Sequence, residues 1–467
     1  MSFSAFLDAR RPAVRALVAA LAESWDYVSV LGADVRARSI RADRNTSGIS
    51  AGRNTACGFV VKVSRGGAFF EYALDDVDGD TAALAEKITA AFTLSPGLSD
   101  RVIDPVVLAD EPLQADYRRP CDLAEQDEGA LLDFCKGLSA GLLARSDKVL
   151  NAVAALSTTE VSKLFISRNR ELSQHYAWVN GVMAVVYRDN DKVVQTYEGE
   201  NSHLLADVVG KLPTRQEKLL KTAAALTTAR AVVPGVYDVI CDSSIAGLIA
   251  HEAFGHGVEM DQFVKDRALA KSFVGKYVAS PVVNMRDGAA STLSAASYFF
   301  DDDGVLAGDT QIIRDGILVT GISDLASAAQ LGTAPTGNGR RQDTRRKAYS
   351  RMTNTFFEAG KDKLEDMIAS IDHGYMLFET DNGMEDPKNW AIQCVAQYGI
   401  EIVDGKLTDN YVAPVVMSGY VPDLLKSITM VSDQVTITGA GSCGKGYKEW
   451  VSVSDGGPAL KARVKLG

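Results

Sequence analysis

The chain has 467 residues, 46% hydrophobic and 23% charged, an ordinary globular balance with enough length for roughly two to four domains. A formal net charge of −11 excludes broad electrostatic attraction to nucleic acid or anionic membrane. The cysteines (Cys57, Cys121, Cys135, Cys241, Cys394, Cys443) are sparse and form no CxxC pair, which excludes a disulfide framework and fits a reducing, cytoplasmic setting.

Residues 3–23 read as an amphipathic surface helix. Arg10-Arg11 before an alanine-rich stretch has the outline of a twin-arginine signal, but Asp8, Arg15 and Glu23 interrupt it. No apolar run reaches about 18 residues, so no transmembrane span is expected. Residues 26–76 read as an antiparallel meander, with strands at 27–30, 35–40, 58–63 and 68–72. Helices are expected at 79–93 and 124–145, strands at 148–156, 163–168 and 178–188, and helix again at 202–229. Val233-Pro234-Gly235 breaks the chain, and 236–240 leads as a strand into a helix over 244–257. Asp242 or Ser243 caps that helix, and Ile245, Leu248 and Ile249 give it an apolar stripe. Beyond 277 the texture is β-rich, with runs at 311–318, 390–401 and 431–438.

The expected fold class is therefore α+β. A mixed α/β N-terminal domain (1–225) precedes a mostly antiparallel β C-terminal domain (226–467) that carries the 244–257 helix. Residues 332–354 read as a long loop. Its arginines (340, 341, 345, 346, 351) are expected to be solvated. A nucleic-acid patch suits the acidic whole less well; a cleft lining that grips substrate, aided by Asn354, is the other reading.

Within the 244–257 helix stand His251-Glu252-Ala253-Phe254-Gly255-His256, two of only five histidines and a glutamate. Two neutral imidazoles and a carboxylate are what a hydrolytic zinc site needs: ligands, and a base for a metal-activated water. The familiar zinc-protease spacing is H-E-x-x-H, four residues on one helix face. Here it is five. On an α-helix, four residues leave side chains roughly 40° apart and five leave them roughly 140° apart. A π-type turn of about 4.4 residues brings the pair back to about 50°. A bulged helix with both histidines inward is therefore expected, with Gly255 and Gly257 easing the backbone.

A catalytic zinc usually takes three protein ligands. Cys443 stands out by its glycine-rich setting, Gly439-Ala440-Gly441-Ser442-Cys443-Gly444-Lys445-Gly446, where Lys445 would favour the thiolate. Glu259, Asp261, His175, His203 and His373 stay open as alternatives. Glu259 and Asp261 are also read as residues that orient the histidines. The same stretch matches G-x-G-x-x-G and nearly a phosphate-binding loop. However, Gly446 replaces the needed hydroxyl residue and too little chain follows for a nucleotide fold, so no nucleotide-cofactor site is assigned. Cys443 as a nucleophile ranks below metal ligation, because it leaves Glu252 without a task.

Taken together, His251 to Glu259, Asp301-Asp302-Asp303-Gly304, Gly337-Asn338-Gly339-Arg340-Arg341, Arg351-Met352-Thr353-Asn354-Thr355 and Ser442-Cys443-Gly444-Lys445 form an ordered ladder. It resembles the TldD/PmbA family of zinc metallopeptidases, also called modulators of DNA gyrase. The intact HExxxH motif places the chain on the metal-bearing TldD side. Met260 stands where the family often has glycine. The resemblance implies Zn2+ held by His251, His256 and Cys443, with Glu252 as general base. It implies peptides or unfolded polypeptides as substrates, and a homodimer or a heterodimer with a TldE-like chain. Nucleic acid and membrane are not expected as partners. The alternative is a non-catalytic regulatory or binding subunit of a TldD/TldE-type complex.

Overall fold

The computed structural model describes residues 3–66, 68–93, 110–123, 127–446 and 449–467. Helix α1 (Ala5–Ala22) is capped by Ser4, whose side chain accepts the Leu7 N–H, and buries Leu7, Val14, Leu17, Val18 and Leu21. The expected meander follows as β1 (Tyr27–Ala42), β2 (Ser47–Ala51), β3 (Ala56–Arg65) and β4 (Ala68–Leu74), with 27–30 and 35–40 fused into one strand. Then come α2 (Thr81–Thr93), β5 (Leu113–Arg118) and α3 (Glu128–Ala144). Positions 124–126 of the expected 124–145 helix lie outside the described residues.

Strands expected at 148–156 and 163–168 are one, β6 (Val149–Ser167), and β7 runs over Arg170–Asp189. A further strand, β8 (Lys192–Ser202), precedes the helices α4 (Leu205–Lys211) and α5 (Gln216–Leu226). Those helices replace the expected continuous 202–229 helix. The break falls in a 3-10 turn at 212–215 holding Pro213, which lacks the N–H an α-helix needs.

These strands form an eight-stranded sheet in the order β4-β3-β1-β6-β7-β5, with β2 on β1 and β8 on β7. Side chains alternate between faces. Val28, Val30, Leu164 and Ile166 pack under α1 and α2, while Ile40, Ala42, Ala152, Ala154 and Leu156 pack under α3 to α5. All these helices therefore cover one face. The other face presents Leu31, Phe165 and Leu172 to Phe300 of the C-terminal half. On that same face Lys62 pairs with Asp303 and Lys163 with Asp302. Arg341 there reaches Glu71 at 3.0 Å, and Gln174 Nε2 donates to the Phe300 carbonyl at 2.8 Å.

The C-terminal half is β-rich and mostly antiparallel, in agreement with the expected α+β class. One sheet closes a circuit: β9 (Gly235–Cys241) lies between strands 373–386 and 460–466, followed by 415–420 and 391–403, and 391–403 pairs back onto 373–386. A six-stranded sheet ends in the hairpin of 449–457 and 436–445. Expected runs are subdivided: 311–318 turns at Asp315-Gly316, and 431–438 splits between strands 430–431 and 436–445.

The 332–354 segment is a solvated loop only in part, with Arg345 and Arg346 exposed as expected. Strands 339–340 and 349–350 pair with each other, and Arg341 and Arg351 are buried. Asp301 and Asp302 accept the Gly339 and Arg341 backbone N–H groups, each at 2.8 Å, where a neighbouring strand would otherwise satisfy them. Asn354 is buried too and donates to the Gly288 and Thr292 carbonyls, a structural task rather than a cleft lining.

Candidate metal centre

Helix α6 (Ser243–Leu248) leaves β9 through Asp242. Its carboxylate accepts the Ser244 and Ile245 N–H groups, so Asp242 is the cap. At Ile249–Gly255 the helix widens into a π-helical turn, as the five-residue spacing predicts. The His256 N–H donates to the His251 carbonyl, which brings the two imidazoles together at 5.2 Å between ring centroids and 87° between planes.

Gly255 owes its place to space rather than to backbone freedom, since its φ is an ordinary −60°. A Cβ there would overlap Met352 Sδ. Gly257 is likewise hemmed in: a Cβ would meet Glu385 Oε1 at 2.8 Å and Trp390 Nε1 at 3.1 Å.

Cys443 arrives from the other sheet, on the 436–445 strand, where it pairs with Val451. Its Sγ lies 3.5 Å from His256 Nε2. One donor atom each from His251, His256 and Cys443 lie within 4.8 Å of one another, and among the described residues no other such group of His, Cys, Asp or Glu converges. Glu252 stands between the imidazoles, 3.9 Å from His251 Nε2 and 3.7 Å from His256 Nε2.

The electrostatics follow from burial and neighbours. Burial opposes ionisation of the Cys443 thiol, but His256 and His251 outweigh it and hold its pKa well below the ordinary value. The two histidines, rather than the Lys445 of the sequence expectation, lead this shift; Lys445 pairs with Glu259 at 3.0 Å and Asp261 at 2.6 Å. Burial raises the Glu252 pKa, opposed by the two histidines. Glu259 is buried, and its Oε2 meets His256 Nδ1 at 3.3 Å, so it orients that ring. Asp261 does not touch the histidines and pairs with Lys445 and Lys265.

The remaining histidines stand elsewhere. His175 bonds Ser162, His373 pairs with Glu401, and neither joins the cluster; nor does His203. Arg351 was missed as a site neighbour. It is wholly buried, its Nε 3.9 Å from Glu259 Oε1.

The donors fit a metal ion. Two imidazoles and a thiol already biased towards thiolate are a borderline-soft set that suits zinc. The carboxylate on His256 Nδ1 leaves Nε2 facing Cys443.

Comparison with known proteins agrees with this geometry. Residues 234–464 match the model of the PmbA/TldA metallopeptidase C-terminal domain. A metalloprotease of Synechocystis is 26% identical over 451 residues, 94% of each chain. A metalloprotease TldD homolog of Haemophilus influenzae is 31% identical over 246 residues, 52% of this chain and 51% of that one. A zinc metalloprotease TldD homolog of Saccharolobus solfataricus is 28% identical over 310 residues, 65% of this chain and 68% of that one. Among solved structures, a putative modulator of a DNA gyrase from Thermotoga maritima superposes with a TM-score of 0.79 at 16% identity, covering 98% of this chain and 100% of that one. TldE from Thermococcus kodakarensis gives 0.75 at 18% identity, covering 97% and 100%. The ladder of motifs, the matched C-terminal domain and the shared fold agree: the chain belongs to the TldD/PmbA family.

Proposed function

We propose that this chain is a zinc-dependent peptidase acting on peptides or unfolded polypeptides, with His251, His256 and Cys443 holding the metal and Glu252 as general base. The observation that carries the reading is the convergence of those three donors beside a carboxylate that reaches both imidazoles. A purely binding protein has no use for that carboxylate. The relatives called metalloproteases, one of them a zinc metalloprotease, support the same reading.

Zinc held there supplies Lewis acidity and lowers the pKa of a water from about 15.7 towards 7. Glu252 accepts the water proton and later delivers it to the leaving amine, acting as base and then acid. Glu259 fixes the His256 ring so that its Nε2 stays turned towards Cys443. Gly383 leaves room for Glu252, since a Cβ at 383 would meet the Glu252 Cγ at 2.6 Å.

In the same reading the chain divides into units 1–225 and 226–467, supported by the change of apolar cluster between Ala223 and Val232. It works in the cytoplasm, which suits cysteines that form no disulfide among the described residues. It acts as a homodimer or beside a TldE-like chain, consistent with its likeness in fold to TldE. Among the described residues no helix is long and apolar enough to cross a membrane.

The test is zinc content by plasma mass spectrometry, together with hydrolysis of unstructured peptides by the chain alone and with a TldE-like partner. About one zinc per chain, lost in Cys443→Ala, with hydrolysis in either setting, is the expected result. Wild-type protein that takes up no zinc after chelator-free purification would sink the ligand assignment. Zinc without hydrolysis in both settings would turn the reading to a binding subunit.

A further inference from the structure

Arg351 has 0% of its surface exposed, an unusual place for a guanidinium. Its Nη2 donates to the Cys443 carbonyl at 2.7 Å and its Nη1 to the Glu449 carbonyl at 3.1 Å. Cys443 and Glu449 belong to the two strands of one hairpin, near its turn, where Lys445 pairs with Glu449. One planar fork therefore spans the hairpin that delivers the thiol. The third face of the guanidinium points at Glu259: Nε is 3.9 Å from Oε1, and neither atom has another partner among the described residues. The other Glu259 oxygen holds His256 Nδ1 at 3.3 Å and Lys445 Nζ at 3.0 Å.

The base of this arrangement is fixed as well. The Arg351 N–H donates to the Asn338 carbonyl, and Asn338 Nδ2 donates back to the Arg351 carbonyl. Lys445 Nζ also donates to the Ser350 carbonyl at 2.9 Å. Two cations, Arg351 and Lys445, thus flank the one carboxylate that orients His256.

We propose that Arg351 is a positioning residue for the metal centre, fixing Cys443 through the hairpin carbonyls and His256 through Glu259. Burying a charge is costly, and apolar side chains of similar volume commonly stabilise a core at least as well. What an apolar residue does not do is register two ligands, one on a helical turn and one on a strand, against each other. Lysine does not do it either: an ammonium lacks the rigid fork that reaches two carbonyls and a carboxylate in one plane. The inference rests on the zinc reading of His251, His256 and Cys443.

The experiment measures zinc affinity by competition with a chromophoric chelator, alongside the thermal midpoint of the metal-free protein. Wild type, Arg351→Lys, Glu259→Gln, the double variant Arg351→Lys/Glu259→Gln and Cys443→Ala are compared as full chains. Arg351→Lys is expected to lower zinc affinity about 10–100-fold, the usual cost of losing a residue behind a ligand. Glu259→Gln is expected to fall in the same range, and the double variant to be less affected than the product of the two. A merely structural Arg351 lowers the metal-free midpoint and leaves the affinity of the folded protein unchanged; that result overturns the proposal. If Arg351→Lys does not fold, wild-type affinity in Glu259→Gln overturns it instead. Wild-type protein without affinity for zinc removes the ligand assignment itself, which separates that failure from this one.

Discussion

The His256 N–H donates to the carbonyl of His251, five residues back, a bond that a regular α-helix does not make. This one bond turns a spacing that would splay the imidazoles into one that brings them edge to face. It depends on Gly255, against whose Cα the buried Met352 sulfur is packed. Gly255→Ala gains up to about 1 kcal/mol of helix propensity. It forces Met352 aside at a cost of roughly 1–3 kcal/mol. We expect a net loss of stability and weaker zinc binding, with part of both restored in Gly255→Ala/Met352→Ala. Thermal melts and zinc titrations of the four proteins check this, and additive effects in the double variant would break the argument.

Glu252 reaches both imidazoles yet is not placed as a ligand. Glu252→Gln keeps the shape and removes the basicity. Zinc content is expected to stay near wild type while kcat for peptide hydrolysis falls about 10²–10⁴-fold, the usual worth of a general base. A variant that hydrolyses peptides at the wild-type rate takes that role away from Glu252.

The contiguous part of the site was legible in the sequence because His251, Glu252 and His256 share one helical segment, and their spacing alone demanded a widened turn. Cys443 was visible only as a thiol in a glycine-rich setting; that it meets His256 depends on how two sheets pack. Arg351 was not legible. Among neighbouring arginines in a polar segment it looks solvated, and only tertiary packing buries it. Strand β8 was missed for a related reason. Its sequence, Lys-Val-Val-Gln-Thr-Tyr-Glu-Gly-Glu-Asn-Ser, is polar, yet Glu198 is buried because Lys218 pairs with it at 2.6 Å. Strand β6 was read as two pieces because its middle, Ser157 to Glu160, is polar, and β7 was read only from 178 because Arg170 to His175 is largely polar. The cap at Asp242, the β-rich C-terminal texture and the N-terminal helix needed only local pattern, and these are found in the structure.

The contact between the N-terminal sheet and the C-terminal half carries its own acid limit. Burial works against ionisation of Glu71, but Lys62 and Arg341 outweigh it and hold its pKa down to about 2, from an ordinary 4.5. A depressed carboxyl pKa means that the unfolded chain takes up the proton first as pH falls. The stabilisation is therefore complete above about pH 4.5 and is lost progressively towards pH 2. Glu71→Gln is expected to lower stability at pH 7 by roughly 1–3 kcal/mol, less than for a fully buried pair because Glu71 is partly exposed. It should also lose less further stability than wild type between pH 5 and pH 3. Denaturant titrations at those pH values decide it, and parallel acid profiles would remove Glu71 from the account.

His175 sets a second, milder limit nearer neutrality. It is buried between strands, with Nδ1 3.0 Å from Ser162 Oγ, and that same oxygen accepts the Ser4 N–H at 3.2 Å. The neutral ring accepts the Ser162 hydroxyl proton at Nδ1, whereas the charged ring donates to the same oxygen. Burial, then the Arg118 charge, lower its pKa below the ordinary 6.5. The unfolded state therefore protonates first, and stability present above pH 6.5 is lost as pH falls below it. Buried carboxyls with raised pKa, such as Asp301, act in the opposite direction, so the contribution is read as a difference between proteins. His175→Gln, which loses a hydrogen bond worth about 1 kcal/mol, is expected to be less stable than wild type at pH 7.5. The gap should close towards pH 5.5. Thermal midpoints across that range test it: a gap that stays constant or widens means that His175 does not titrate against folding.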